Sequence, residues 1–66
     1  MDIIKAIEEA IEEEKAGIRR YKQMAEQAGD PESKAVFGAM ARDEENHYRA
    51  LKERLTAIKL RRQKIQ

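Results

Sequence analysis

The chain has no cysteine and no tryptophan, one proline, three glycines and only three aromatic residues in 66 positions. Without cysteine there can be no disulfide, no thiolate zinc site, no cysteine-held iron–sulfur cluster and no thiol nucleophile, and the absence fits a reducing compartment. Three aromatics leave little bulk for a core. A single core of this length rarely contributes more than about 3–5 kcal/mol of net stability unless metal or self-association adds to it. No apolar run approaches the roughly 20 residues that cross a bilayer, and the N-terminus lacks the basic-then-apolar order of a secretory signal. The expectation is a cytoplasmic chain with no membrane segment, held together by metal, by copies of itself, or by both.

Charge is plentiful and almost balanced, with 14 Lys and Arg against 13 Asp and Glu and a net charge of +1. It is unevenly placed. Glu8, Glu9, Glu12, Glu13 and Glu14 form an acidic stretch, whereas nothing after Glu53 is acidic and Arg54, Lys59, Arg61, Arg62 and Lys64 are basic. Each run on its own reads first as solvated helix surface. The basic segment has no interleaved aromatics, so nucleic-acid binding is not favoured.

The spacing of apolar residues predicts an all-α architecture, one antiparallel helical hairpin over residues 1–66. Asp2 is a cap for a first helix over about 2–28, which contains good helix formers and one interior glycine, Gly17. Gly29 is expected to stop it in a left-handed conformation, and Asp30 and Pro31 form a cap and first-turn pair for a second helix over about 31–64. No strand alternation and no internal repeat is present.

The first helix carries a stripe, Ile4, Ile7, Ile11, Glu14, Ile18, Tyr21, Ala25 and Ala28, with spacings alternating between three and four. Glu14 falls where an aliphatic residue belongs. The second helix carries Phe37, Met40, Glu44, His47 and Leu51, continued by Leu55 and Ile58, and again the interruption is polar. An ionised carboxylate in an apolar seam is costly unless it is neutralised, and a divalent cation does this well. Glu14 stands fifteen residues before Gly29, while Glu44 and His47 stand thirteen and sixteen after Pro31. At 1.5 Å per residue all three sit about 20–24 Å from the turn, at one height. The i, i+3 spacing of Glu44 and His47 puts both on one helix face. One hairpin offers three ligands, too few to enclose a site. Two hairpins packed as a four-helix bundle offer four carboxylates and two imidazoles, the donor set of di-iron and di-manganese bundles, and the carboxylates balance two divalent ions. Phe37, Met40 and Met24 are expected as core filler, Glu13 and Glu45 as solvent-facing neighbours of the ligands, and Tyr48 as a residue at the seam's edge.

At these residues the chain resembles the rubrerythrin and ferritin-like family. The segment from Glu14 to Tyr21 looks like that family's first-helix motif, a ligand Glu followed seven residues later by Tyr. The segment Ala41 to His47 looks like its second-helix Glu-x-x-His. The resemblance runs from about Ile7 to Leu55, half of a usual family bundle, and is nearest to the two-helix encapsulated ferritin type, whose site forms between two protomers. It implies Glu14, Glu44 and His47 as iron ligands, with two iron ions per dimer and manganese as the other metal, and Tyr21 as a phenol either behind the ligands or weakly ligating. The chain departs from full rubrerythrins in lacking a rubredoxin-like cysteine pair. No encapsulin-targeting peptide is visible in Lys59 to Gln66, which leaves packaging in an encapsulin shell without support.

The leading expectation is therefore a homodimer or higher homo-oligomer that oxidises Fe(II) with oxygen or peroxide, in iron storage or detoxification. The alternatives are a rubrerythrin-like peroxide-scavenging di-metal enzyme and a non-catalytic helical adaptor with a basic C-terminal segment.

Overall fold

The computed structural model describes residues 1–64, which form two α-helices, α1 (Ile3–Gln27) and α2 (Pro31–Lys64), packed as an antiparallel hairpin. Ile65 and Gln66, the last residues of the segment read for a targeting peptide, lie outside the described residues. Among the described residues no helix is long and apolar enough to cross a membrane.

Both helix starts follow the sequence chemistry. Asp2 is extended at the head of α1, and its Oδ1 accepts the Lys5 backbone N–H at 3.2 Å. Asp30 does the same for α2, its Oδ2 accepting the Ser33 N–H at 2.8 Å. Each cap satisfies a donor that the helix itself leaves without a partner.

The end of α1 differs from the expectation, because Gly29 is not left-handed and no described glycine has a positive φ. Ala28 instead turns out of the helix into extended backbone (φ −63°, ψ 133°) while its N–H still reaches the Met24 carbonyl at 2.9 Å. Lys34, from the first turn of α2, donates its Nζ to the carbonyls of Ala25 (2.9 Å) and Glu26 (3.2 Å). A cation on the last carbonyls of a helix satisfies free acceptors and opposes the negative end of the helix dipole, so no left-handed residue is required.

The interface between the helices is thin. Among the described residues only Ile7, Ile11 and Ala41 are buried apolar residues, and no side chain is completely enclosed. The face α2 turns toward α1 contains Phe37, Ala41, Glu44, Tyr48, Leu51, Leu55 and Ile58, all buried or half-buried. Met24 and Met40, expected as core filler, are 38% and 36% exposed. The radius of gyration is 15.7 Å in a body of 56 × 16 × 14 Å, against about 11 Å for a compact domain of this length. The shape is that of two rods side by side.

Asp30 yields a pH prediction. Its carboxyl is held below the usual carboxylate value, first by the Ser33 backbone N–H and then by the Ser33 hydroxyl. A group depressed in this way stabilises the fold above its unfolded value, and that contribution disappears as pH falls through the folded value. Asp30→Ala should lower the melting temperature at pH 7, and the gap between variant and parent should close near pH 2. A gap that persists in acid would show that the carboxylate is not the source.

Candidate metal centre

Glu14 on α1 and Glu44 and His47 on α2 converge midway along the hairpin, with one ligand atom from each lying within 4.8 Å of the others. His47 Nδ1 is 3.4 Å from Glu14 Oε2 and 3.6 Å from Glu44 Oε1. The two carboxylates are largely shielded, at 21% and 24% side-chain exposure, whereas the imidazole is 61% exposed. His47 therefore stands at the rim of the hairpin rather than inside its seam. Met40, 36% exposed, likewise lies at the edge of the face that α2 turns toward α1 rather than at its centre.

Glu14 Oε2 is the one buried side-chain polar atom among the described residues with no hydrogen-bond partner. Its approach to His47 is within ion-pair range but does not have hydrogen-bond geometry. A shielded carboxylate oxygen without a donor is unstable relative to the same group in water. Here the neighbours are another carboxylate and a nitrogen that carries a lone pair when neutral. The arrangement fits a cation bound by hard oxygen donors and one imidazole.

The clearance for this cluster comes from a residue whose role was not evident from the sequence. Gly17 is buried in the middle of α1, three residues after Glu14 and on the same face. A Cβ built there would run into the Glu44 carboxylate, whose Cδ would lie at 3.3 Å and whose Oε2 would be closer still. The signal was present, since glycine inside an otherwise strong helix former costs about 1 kcal/mol relative to alanine.

The remaining expected neighbours are placed differently from one another. Tyr21 lies about 10 Å along α1 from Glu14, half-buried and with the Arg20 guanidinium carbon 5.2 Å from its ring centroid, so it stands outside the trio. Tyr48 is half-buried, its ring 5.5 Å from the Lys52 ammonium. Glu13 is exposed, as expected. Glu45 is not fully solvent-facing: it is half-buried and pairs with Lys22 across the hairpin at 3.6 Å. The acidic residues Glu8, Glu9, Glu12 and Glu13 are all exposed on α1.

An antiparallel helix pair carrying Glu on one helix and Glu-x-x-His on the other is half of a ferritin-like di-iron bundle. Residues 2–66 match the family model described as Rubrerythrin, and the chain belongs to that ferritin-like di-iron family. No curated protein and no solved structure matches it significantly.

Gly17→Ala separates clearance from fold. Helix propensity alone would raise the stability of the metal-free protein by about 1 kcal/mol. The collision with Glu44 should at the same time weaken Fe(II) or Mn(II) binding at least ten-fold. Thermal melts without metal and titrations with it measure the two effects separately, and unchanged affinity would mean that Glu44 can relocate freely.

Proposed function

We propose that two copies of the hairpin pack as a four-helix bundle, bring their trios together around two iron ions, and oxidise Fe(II). The observation that carries this reading is the unpartnered Glu14 Oε2 facing Glu44 and His47. Each chain contributes two carboxylates and one imidazole, so a pair of chains supplies the charge that two divalent ions balance.

The surface supports a second copy. The hairpin exposes 5262 Å², whereas a compact 7.7 kDa monomer would expose about 4,300 Å². The excess is close to the ~800 Å² that each partner contributes to a standard interface. His47 at the rim is accessible to ions shared with another chain. Exposed Glu8, Glu9, Glu12 and Glu13 place negative potential on the same helix as Glu14, which raises the local concentration of cations.

Fe(II) is the substrate in this reading. Two Fe(II) release two electrons, enough to reduce dioxygen to hydrogen peroxide or hydrogen peroxide to water. Carboxylate oxygens favour the ferric product because hard ligands suit the harder ion. The protein's part is to hold Glu14 and Glu44 at a fixed separation, to leave room for the Glu44 carboxylate at Gly17, and to flank Glu14 on its stripe with Ile11 and Ile18.

Membership of the rubrerythrin family favours a second reading, peroxide reduction with the metal pair cycling between oxidation states. Two electrons and two protons per peroxide give two waters. These 66 residues hold no cysteine and so no rubredoxin-type iron site, and in this reading a separate redox centre supplies the electrons.

Aerobic addition of Fe(II) should produce ferric near-ultraviolet absorption that saturates near one iron per chain. Glu44→Ala and His47→Ala should abolish the saturating signal, while Glu9→Ala, on the acidic surface, should leave its stoichiometry unchanged and at most slow its appearance. Equal losses in all three variants would make iron binding a matter of charge density and end the shared-site reading. Replacing oxygen with peroxide, and adding a reductant, distinguishes the two oxidants: repeated peroxide turnover belongs to the second reading.

A further inference from the structure

The two carboxylates of the trio are bracketed along the hairpin by side chains of opposite size. One turn from them toward the link at Gly29 stand Gly17, three residues after Glu14, and Ala41, three before Glu44. In antiparallel helices these offsets bring the glycine and the alanine to one level. One turn the other way stand Ile11, three before Glu14, and Tyr48, four after Glu44. The carboxylates therefore lie between a level of small side chains and a level of large ones.

Resting on the metal-binding reading above, we propose that Ala41 is a positioning residue that fixes the separation of Glu14 and Glu44 and so selects the bound ion by size, in favour of the smaller divalent ions. The two glutamates come from different helices, so their separation follows the distance between the helix axes at this level. That distance ranges from about 8 to 10 Å with the bulk of the side chains in contact. Ala41 places one methyl there and is only 3% exposed, and Gly17 is buried on α1 with no side chain at all. The Glu44 side chain fills the space that Gly17 leaves, its Cγ and Cδ lying 3.6 and 3.3 Å from where a Cβ on Gly17 would be. Little slack remains. A larger side chain in place of Ala41 moves α2 away from α1, because a close-packed contact yields by backbone shift rather than by compression. Glu44 moves with it, away from Glu14 Oε2, the shielded oxygen that has no donor.

The magnitudes favour selection by size. Carboxylate oxygens bind zinc at about 2.0–2.2 Å and calcium at about 2.3–2.6 Å, so the widest span of two such bonds differs by about 0.7 Å between a small divalent ion and a large one. The range of helix spacings is about 2 Å, and part of it is sufficient. The rest of the acidic surface lacks this constraint. Glu8, Glu9, Glu12 and Glu13 are exposed on one helix, and the His47 side chain is 61% exposed at the rim, so these groups can adapt to an ion of any size. Size selection belongs to the gap between Glu14 and Glu44.

The test compares two valine substitutions in the full chain. The parent, Ala41→Val and Ala25→Val are each titrated with Zn(II) and with Mn(II), the larger ion, against a chromophoric chelator, and each is melted without metal. The parent should bind Zn(II) more tightly, following the usual order of divalent affinities. Ala41→Val should lose at least ten-fold in Zn(II) affinity relative to Mn(II). Ala25 is half-buried on the same stripe as Glu14 but about 16 Å along α1 from it, so Ala25→Val should change the melting temperature and leave the ratio of affinities within two-fold. A ratio that moves equally in both variants, or in neither, overturns the role of Ala41 and leaves metal binding standing. If Ala41→Val does not fold, Ala41→Ser should shift the ratio in the same direction by about three-fold, and an unchanged ratio there overturns the proposal as well. A parent chain that binds neither ion in stoichiometric amount overturns the metal reading and this inference together.

Discussion

One carboxylate oxygen each from Glu14 and Glu44 and the Nδ1 of His47 face one another in the middle of a protein that has almost no core. The rest of the hairpin accommodates that cluster. Gly17 gives up its side chain to make room for the Glu44 carboxylate. Ala41, opposite on α2 and only 3% exposed, keeps the two backbones close. The stripe that could have been filled with leucine is interrupted at mid-length on both helices. A core of Ile7, Ile11 and Ala41 alone has little stability to spare for two unneutralised carboxylates, which places the balance of the fold on whatever cation and whatever second surface meet there.

Much of this was legible from residue order. The alternating stripe with Glu14 in an aliphatic position, the Gly29-Asp30-Pro31 breaker, and the equal distances of Glu14 and Glu44 from it were sufficient to place the trio at one height on two facing helices. Periodicity could not divide the α2 stripe between neighbours. A helical stripe spans a third of the circumference, and in a hairpin one edge of it meets α1 while the other edge is left over. Phe37, Ala41 and Glu44 took the inner edge, whereas Met40 and His47 took the outer one. Gly17 looked like a tolerated weakness in α1 because its purpose lies on the other helix.

The turn illustrates a different limit. A glycine after a helix suggests a left-handed stop by local rules, and Gly29 occupies the usual place. Lys34 overrides that rule from six residues beyond Ala28, by placing its ammonium on the last carbonyls of α1. Glu45 and Lys22 are a similar case, a pair set by the crossing of the helices and invisible on either helix alone. Side-chain contacts between elements depend on rotation about each helix axis, which sequence spacing leaves undetermined.

The link between the helices is three residues long, anchored on one side by Asp30 and on the other by Lys34. Such a connection makes pairing of α1 with α2 a local event with little loop entropy to overcome, in the class of contacts that form within microseconds to milliseconds. Joining two chains is bimolecular and slower at low concentration. For the assembly proposed above, the time from synthesis to a working centre is therefore set by encounter between hairpins, so that the rate at which centres form rises with the square of the free-chain concentration while helix pairing within each chain stays first order.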